Sequence, residues 1–318
     1  MSSPGVIALI VAIALVALLY LTVYAFSHVP RAAFPSELEY VSFMPDGGAS
    51  EKHPLPRLDD QATVDFSVVV PCYNESERIE IMLDEALPEL KSVYGDGWEL
   101  VLVNDASTDD TVGVALRWAA KNRLLQDQFR IIELKNNRGK GGAVIHGIRH
   151  ARGKVILFAD ADGASKFSDA ALLHRALGDS ERAVAIGSRA HLVKSEAVVK
   201  RTFIRNFLMY GLHTLLYVFG IRTIGDTQCG FKMFTREAAK AIFPYMHTER
   251  WIFDVEVLII AMRKKIAISE VAINWHEVEG SKIDLARDSV LMAVDLVVIR
   301  FAYLLGIYSD STISQPNL

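Results

Sequence analysis

The first long hydrophobic segment of the chain extends from Gly5 to Phe26 and carries no charge over 22 residues. A helix of this length matches the hydrocarbon thickness of a bilayer. We therefore predict a transmembrane anchor over residues 1–27, and not a cleaved signal peptide, because Met1 to Pro4 lacks a basic start. His28 and Arg31 follow the segment and no Lys or Arg precedes it, so the positive-inside rule predicts a cytosolic location for the rest of the chain.

Beyond residue 65, short apolar runs alternate with segments of helical periodicity. The runs typical of buried strands are Phe66–Val70, Leu100–Val103, Arg130–Leu134, Val155–Ala159 and, further on, Val184–Ser188. The helical segments lie at about 77–91, 109–122 and 141–151. This alternation predicts an α/β fold with a mostly parallel central sheet covered on both faces. Ligands of such sheets bind beyond the carboxyl ends of the strands, so the residues after each run are the candidates for chemistry.

The segment between the anchor and the first strand differs in composition. Residues 28–64 contain five of the ten prolines and the Gly47-Gly48 pair, without a sustained hydrophobic period. This pattern is typical of a linker. We therefore divide the chain into an anchor at 1–27, a linker at 28–64, a main domain at 65–282, and an amphipathic C-terminal helix with a tail at 283–318.

Two later apolar stretches are interrupted by polar residues. Phe203–Phe219 contains Arg205, Asn206 and His213, and the helix near Arg287–Ile307 contains Asp288, Asp295 and Arg300. Neither stretch fits a clean membrane span. We predict that both are interfacial helices on a lipid bilayer, the alternative being core helices or helices that form contacts in a homo-oligomer.

The overall charge is nearly balanced, at 34 basic against 38 acidic residues. Nothing therefore marks the chain as a nucleic-acid binder with a basic face, and no nucleic-acid partner is expected. Only two cysteines occur, Cys72 and Cys229, which indicates reduced thiols and not the disulfide framework of a small secreted domain.

An Asp-x-Asp pair follows the fourth predicted strand. Asp160 and Asp162 flank Ala161, and two carboxylates so close together repel each other unless a cation neutralises them. Mg²⁺ or Mn²⁺ is commonly held by one or two carboxylates, with water and substrate phosphates as the other ligands. We therefore predict that Asp160 and Asp162 bind Mg²⁺ (or Mn²⁺), the alternative being a solvated Asp-Gly turn.

Two further polar clusters lie near predicted strand ends. Asp105 follows the second strand, where its carboxylate can accept the imide N–H of a pyrimidine, which favours uridine. The segment Asn136–Gly142 precedes the third helix, and its glycines and Lys140 can bring backbone N–H groups and an ammonium to an anion. It lacks both the Walker spacing and the Gly-x-Gly-x-x-Gly fingerprint, so a P-loop or a dinucleotide fold is disfavoured.

Seven segments together carry a resemblance to a known family. Over residues 66–308 the chain resembles the dolichyl-phosphate β-glucosyltransferases, which are inverting GT-A glycosyltransferases of family 2. The segments are Pro71–Glu75, Asn104–Ser107, Asp160–Gly163, Gly187–His191, Asp226–Lys232, Arg250–Glu256 and Glu279–Lys282. The mannosyl-phosphate synthases share the early segments but fit Asp226–Lys232 less well. The family usually has two aspartates where this chain has Asn104-Asp105, and the retained second position is the one assigned to uracil.

The resemblance implies a substrate pair and a cellular location. The donor would be UDP-glucose and the acceptor dolichyl phosphate, with inversion giving dolichyl β-D-glucosyl phosphate for N-glycan precursor assembly. The catalytic domain, a GT-A nucleotide-sugar-binding fold over residues 65–282, would face the cytosol from a single-pass anchor in the endoplasmic reticulum membrane.

The resemblance also implies roles for individual residues. The nucleotide sugar would be bound by Pro71, Tyr73, Glu75, Asp105, Gly139, Lys140, Asp160, Ala161, Asp162 and Lys282. The acceptor phosphate would be bound by Arg189, Arg201 and Arg205, and the catalytic residues would be Asp160, Asp162 and Asp254. From the sequence alone, Asp254 and Glu256 fit a capping role at a helix start as well as contacts with glucose hydroxyls.

The expected chemistry needs little general-base help, because an acceptor phosphate is already an anion at neutral pH. Positioning and charge control would dominate. Two alternatives stay open: a polyprenyl- or dolichyl-phosphate mannosyltransferase of the same fold, and a non-catalytic membrane-anchored scaffold that binds nucleotide. The presence of Asp105, Asp160 and Asp162 favours an enzyme over a scaffold.

Overall fold

The computed structural model describes residues 4–194, 211, 214–217, 220–222, 224–278 and 285–310. The N-terminal part contains α1 (Pro4–Phe26), β1 (Glu39–Tyr40) and β2 (His53–Pro54). The main domain then contains β3 (Val64–Cys72), α2 (Ile79–Tyr94), β4 (Trp98–Asn104), α3 (Thr111–Lys121), β5 (Phe129–Glu133), α4 (Gly139–Arg149) and β6 (Gly153–Ala159). It continues with α5 (Ala170–Leu177), β7 (Ala183–Ser188), β8 (Phe231–Thr235), α6 (Arg236–Ile242), α7 (Phe253–Arg263), β9 (Ala267–Ala272) and α8 (Leu285–Leu304).

A seven-stranded sheet with the order β5-β4-β3-β6-β8-β7-β9 forms the centre of the domain. The pairs β3–β4, β4–β5, β3–β6 and β7–β9 are parallel, whereas β8 is antiparallel to both β6 and β7. The predicted mostly parallel α/β sheet is therefore confirmed. Each predicted strand lies within, or within one residue of, an observed one.

Both faces of the sheet are covered, because successive side chains of a strand point to opposite sides. Val69 of β3 belongs to an apolar cluster that includes residues of α4, α6, α7 and α8. Its neighbours Val68 and Val70 belong to a second cluster formed with α2, α3 and α5. This two-sided burial explains why the strands are continuous apolar runs without alternation.

The polar segments of the sequence meet at one edge of this sheet. The carboxyl ends of β3, β4 and β6 lie side by side, since these strands are parallel and in register. Because β8 runs in the opposite direction, the residues before Phe231 also reach that edge, where Gly230 O accepts a hydrogen bond from Asp160 N at 3.0 Å. The edge therefore collects residues from distant parts of the chain.

Residues 28–64, predicted as a linker, pack against the domain, and we call them the N-terminal strap. Glu37, Val41, Phe43 and Leu58 are all buried. Backbone hydrogen bonds join Val41 to Ile131 of β5 in both directions, at 3.0 and 2.8 Å. The strap is thus an outer layer of the domain. Its buried apolar residues are too widely spaced along the sequence to produce a hydrophobic period.

Helix α1 extends from the domain with little contact. Of its described side chains only Val23 is buried, and by length and composition the helix can cross a membrane. Immediately after it, His28 Nε2 lies 3.0 Å from Asp295 Oδ1 of α8, and His28 N donates to Tyr308 Oη at 2.6 Å. The end of the anchor is thereby fixed to the C-terminal helix.

The sequence predicted that helix α8 is either an interfacial helix or a core helix, and the structure gives it one core side and one exposed apolar side. Leu296 and Ile299 are fully buried in the core, whereas Val290 and Val294 are about half exposed. One side of the helix is therefore core, and an interfacial location stays a prediction for its exposed apolar side. The other predicted interfacial stretch, 203–219, lies largely outside the described residues.

We expect the anchor and the strap to respond differently to truncation. Deleting residues 1–27 should weaken membrane association in a sedimentation assay and leave thermal unfolding nearly unchanged, because α1 buries one side chain. Deleting residues 1–63 should prevent stable folding. Each buried apolar side chain contributes about 1.5–3 kcal/mol, and losing several of them approaches the whole stability of a typical domain. An unchanged Tm after the longer deletion would contradict the observed role of the strap.

Candidate active site

The ends of β3 and β4 are interlocked by side chains. Asn74 N donates to Ser107 Oγ at 2.9 Å, and Asn74 Oδ1 accepts from Thr108 N at 2.7 Å. Asn74 and Ala106 both have positive φ, of 53° and 59°, which non-glycine residues rarely adopt. The two strand ends therefore form one tight corner, and it holds Asp105 in place.

Asp105 is almost fully buried and faces the start of α4. Its carboxylate accepts the backbone N–H of Arg138 at 2.6 Å and that of Gly139 at 2.9 Å. Burial raises the pKa of Asp105 to about 6, although both of these hydrogen bonds favour the ionised form. Gly139 has φ +82°, and a Cβ there would lie 2.8 Å from the carbonyl oxygen of Glu249, so the position requires glycine.

Lys140 connects the Asp105 loop to the end of β6. Its Nζ lies 2.7 Å from Asp160 Oδ1 and 2.9 Å from Oδ2. Burial opposes the charge on this amine, but the carboxylates of Asp160 and Asp254 hold the pKa of Lys140 above its usual value. Consecutive residues, Gly139 and Lys140, therefore hold two acidic groups at the ends of β4 and β6, the strands on either side of β3.

The carboxylates of Asp160 and Asp162 suit a divalent cation that takes its remaining ligands from water and substrate. Asp162 Oδ1 accepts the Ala164 N–H at 3.0 Å, which fixes the turn after β6. In the described part of the chain, no three His, Cys, Asp or Glu side chains group closely enough to enclose a metal. Two carboxylates of this kind suit a cation whose other ligands are water and substrate phosphates. The predicted donor set is thus chemically suitable, and metal binding by it stays a prediction.

Gly230 allows Asp160 to reach its position. A Cβ at residue 230 would lie 1.8 Å from Asp160 Oδ2, which is an impossible contact. Gly230 precedes β8, the antiparallel neighbour of β6. The glycine lies within a motif that the sequence singled out, but its contact with Asp160 exists only across the two strands.

Asp254 and Glu256, at the start of α7, have different surroundings. Asp254 Oδ1 lies 2.6 Å from the buried Lys232 Nζ, and burial raises the pKa of Asp254 while Lys232 and Lys140 oppose that rise. Glu256 accepts hydrogen bonds from His247, Thr248 and Tyr303. Glu256 therefore holds the loop before α7 through hydrogen bonds, whereas Asp254 lies close enough to Lys140 to raise the pKa of that amine. A catalytic role for Asp254 stays a prediction.

Arg189 follows β7 and is bound by a carboxylate of the chain itself. Its Nε and Nη2 donate to the two oxygens of Asp226 at 2.6 and 2.9 Å, and its guanidinium lies 5.4 Å from the ring centre of Trp275. Burial opposes the charge, but the hydrogen bonds to Asp226 raise the pKa of Arg189 above its ordinary value. The charge of Arg189 is thus already balanced. The other predicted acceptor and diphosphate ligands, Arg201, Arg205 and Lys282, lie outside the described residues.

The remaining predicted donor ligands lie around the same edge. Pro71 is half-buried at the end of β3, Tyr73 is exposed, and Ala161 is buried between the two aspartates. Glu75 forms an ion pair with Arg78, with 2.7 Å between Oε2 and Nη2. Contacts of these four residues with a nucleotide sugar stay predictions.

Three residues that build this edge could not be identified from the sequence. Lys232 and Gly230 lie in a quoted motif, but no pattern indicated their contacts with Asp254 and Asp160. Arg138 was read only as part of a glycine-rich segment, although its Nε donates to Glu249 Oε1 at 2.8 Å. Each of these contacts joins residues distant in sequence, so local spacing carried no signal for them.

Sequence comparisons identify relatives of this chain along most of its length. The model of the family described as Glycosyl transferase family 2 matches residues 67–243. Dolichyl-phosphate beta-glucosyltransferase of Saccharomyces cerevisiae is 55% identical over 313 residues, covering 94% of this chain and 93% of that protein. The Homo sapiens protein of the same name is 43% identical over 304 residues, covering 93% of each.

Solved structures with a similar fold come from two further proteins. A mannosyltransferase from Pyrobaculum calidifontis in complex with GDP-Man and Mn²⁺ aligns with a TM-score of 0.51 and 21% identity, covering 80% of this chain and 68% of that one. Glucosyl-3-phosphoglycerate synthase from Mycobacterium tuberculosis, in complex with Mn²⁺, UDP-Glc and glycerol 3-phosphate, aligns with a TM-score of 0.51 and 16% identity, covering 75% and 80%. These likenesses support the predicted GT-A fold.

We expect Asp162→Asn to abolish sugar transfer while Tm stays unchanged, because an amide cannot supply the charge that binds a cation. Its effect on the transfer rate should exceed that of Asp105→Asn. The rate is measured against Mg²⁺ concentration for both folded variants. A near-normal rate of Asp162→Asn at saturating Mg²⁺ would show that the metal assignment is wrong.

We expect Gly230→Ala to weaken Mn²⁺ binding at least tenfold, because the added methyl group displaces the Asp160 carboxylate. Electron paramagnetic resonance measures free Mn²⁺ directly and needs no activity assay. The control is Gly48→Ala on the strap, where the nearest atom to a new Cβ is an Asp46 carboxylate oxygen at 3.2 Å. Equal Mn²⁺ affinities of Gly230→Ala and the unaltered protein would exclude Asp160 as a ligand.

Proposed function

This chain belongs to glycosyl transferase family 2 and, within it, to the dolichyl-phosphate beta-glucosyltransferases, and we propose that its sheet edge transfers glucose from UDP-glucose to dolichyl phosphate. The enzyme class and the glucosyl transfer to dolichyl phosphate follow from the membership. The nucleotide, the metal, the residue roles and the membrane topology are our proposal. The observation that carries it is the bridge that Gly139 and Lys140 make between Asp105 and Asp160.

The donor nucleoside would lie against Asp105. A buried carboxylate held by two backbone N–H groups can accept the imide N–H of uracil with its remaining lone pairs. Cytosine lacks this N–H, so the contact favours uridine. UDP-Glc is a ligand of the M. tuberculosis synthase, whose similarity to this chain is one of fold. We therefore assign uracil to Asp105, with Pro71, Tyr73 and Glu75 around it.

The diphosphate would then extend from Gly139 and Lys140 toward Asp160 and Asp162. When bound there, Mg²⁺ (or Mn²⁺) would neutralise the charge that develops on the departing UDP. Lys140 already carries a positive charge at this position, and its ammonium can move from Asp160 to a phosphate oxygen within the reach of its side chain. Lys282 is proposed as a further diphosphate ligand.

The acceptor phosphate would attack the anomeric carbon from the side opposite UDP, which inverts the configuration and gives dolichyl β-D-glucosyl phosphate. A phosphate anion needs no side chain to remove a proton. The surroundings of Asp254 are consistent with this, because Lys232 engages its carboxylate. We therefore propose that Asp254 shapes the charge around the sugar. Arg189, Arg201 and Arg205 are proposed to hold the lipid phosphate against the repulsion of the donor.

The apolar elements suit an acceptor that is a lipid. Helix α1 would anchor the protein, and the exposed side of α8 near Val290 and Val294 would face the bilayer. The basic residue that follows the anchor favours a cytosolic catalytic domain. We propose the endoplasmic reticulum membrane as the location and the assembly of N-glycan precursors as the use of the product.

We expect the full-length chain in detergent to form glucosyl lipid from labelled UDP-glucose and dolichyl phosphate, and little product from GDP-mannose. Asp105→Asn should weaken UDP binding at least tenfold, because the amide both loses the charge and presents a donor to the imide N–H. The control is Asp110→Asn, an exposed carboxylate five residues away that pairs with Arg117. Preferred transfer from GDP-mannose would favour the mannosyltransferase alternative and contradict the proposal.

A further inference from the structure

Glu37 of the strap is a fully buried carboxylate with four hydrogen-bond donors. Arg31 donates from Nη1 and Nη2 at 2.8 and 2.6 Å, and the backbone N–H of Phe34 donates at 3.0 Å. The fourth donor is the backbone N–H of Lys135, at 2.8 Å, which belongs to the main domain. A carboxylate of the strap therefore holds the chain just after β5.

Lys135 begins a short loop that ends at the Asp105 contacts, and we call residues 135–139 the donor loop. Arg138 N and Gly139 N at its end donate to the Asp105 carboxylate. The side chain of Arg138 returns to the strap, where its Nη2 donates to the Arg31 carbonyl oxygen at 3.1 Å. The donor loop is thus attached to the strap at both of its ends.

Cation–π contacts of Arg31 and Lys135 with the Phe34 ring also join the donor loop to the strap. The Arg31 guanidinium lies 4.7 Å from the ring centre of Phe34, and Lys135 Nζ lies 4.6 Å from the same centre. Such contacts are attractive because the face of the ring is electronegative. Burial opposes ionisation of Glu37, yet the hydrogen bonds from Arg31, Phe34 and Lys135 lower its pKa to about 2. The carboxylate is therefore ionised throughout the neutral range.

We propose that Glu37 is a positioning residue for the nucleotide: with Arg31, it holds the donor loop so that the N–H groups of Arg138 and Gly139 stay on Asp105. This rests on the proposed role of Asp105 in binding uracil. Arg31 lies five residues after the last residue of α1, so a short connection joins the membrane anchor to the nucleotide site. No other charged side chain among the described strap residues is fully buried.

A purely structural role for Glu37 predicts a different result from a positioning role. Loss of a structural carboxylate lowers Tm and affects donor and acceptor equally. Loss of a positioning carboxylate lets the donor loop move and weakens nucleotide binding selectively, because the loop contacts Asp105 and ends at Gly139, and both residues are assigned to the nucleotide. The ratio of the effects on UDP affinity and on the KM for dolichyl phosphate separates the two roles.

The test compares three full-length variants in detergent: Glu37→Gln, Glu39→Gln and Asp105→Ala. UDP affinity is measured by calorimetry, the KM for dolichyl phosphate by transfer, and folding by Tm. We expect Glu37→Gln to weaken UDP binding about tenfold, the equivalent of one charged hydrogen bond, and to leave the lipid KM within about twofold. Glu39→Gln should change neither, because the Glu39 side chain is only half-buried and its carboxylate lies 3.6 Å from Lys52 Nζ.

Each outcome bears on one assignment. Unchanged UDP affinity in a folded Glu37→Gln variant would overturn the positioning role, as would an equal loss of UDP affinity and lipid dependence. Unchanged UDP affinity in Asp105→Ala would instead overturn the proposed nucleotide site. If Glu37→Gln does not fold, Arg31→Lys replaces it, since lysine keeps the charge but loses one of the two parallel hydrogen bonds. We expect Arg31→Lys to weaken UDP binding about threefold, and unchanged affinity in that variant overturns the positioning role.

Discussion

Acidic side chains gathered at one sheet edge repel one another, and each one here is held by its own donors. Asp105 has two backbone N–H groups, Asp160 has the Lys140 ammonium, and Asp254 has the Lys232 ammonium. Such pairing offsets the cost of bringing carboxylates together in a place with little access to water. The position of the Asp160 carboxylate also explains Gly230, because a Cβ at residue 230 would overlap that carboxylate.

The hydrogen bonds around Asp105 also connect the edge to helix α1. The donors of Asp105 lie on a loop that depends on Glu37, and Glu37 lies on the strap that leaves α1. On its other side, the end of α1 is fixed to α8 through His28 and Asp295. In the proposed reaction, a soluble nucleotide and a lipid phosphate would meet at a fixed height above the bilayer. A folded connection can set that height, whereas a flexible linker cannot.

Much of the domain could be predicted because its signals are local. A buried parallel strand needs a continuous apolar run, and Phe66–Val70 lies within the observed Val64–Cys72. Parallel strands also place their carboxyl ends at one edge, so Asp105 and Asp160 were candidates from position alone. The packing of the strap against the domain could not be predicted, because the strap has the composition of a linker. Its burial depends on single residues, such as Phe43, that pack against parts of the domain distant in sequence.

The sequence by itself therefore determined the α/β order, the apolar N-terminal helix and the identity of the acidic groups, since these follow from periodicity, length and residue type. Only the tertiary structure determined which hydrogen-bond donor contacts each acidic side chain. Lys232 reaches Asp254 and Gly230 admits Asp160 because β8 runs antiparallel beside β6, a pairing that no local pattern encodes. Electrostatic and steric contacts act through space, so their partners become definite only when strands distant in sequence are brought together.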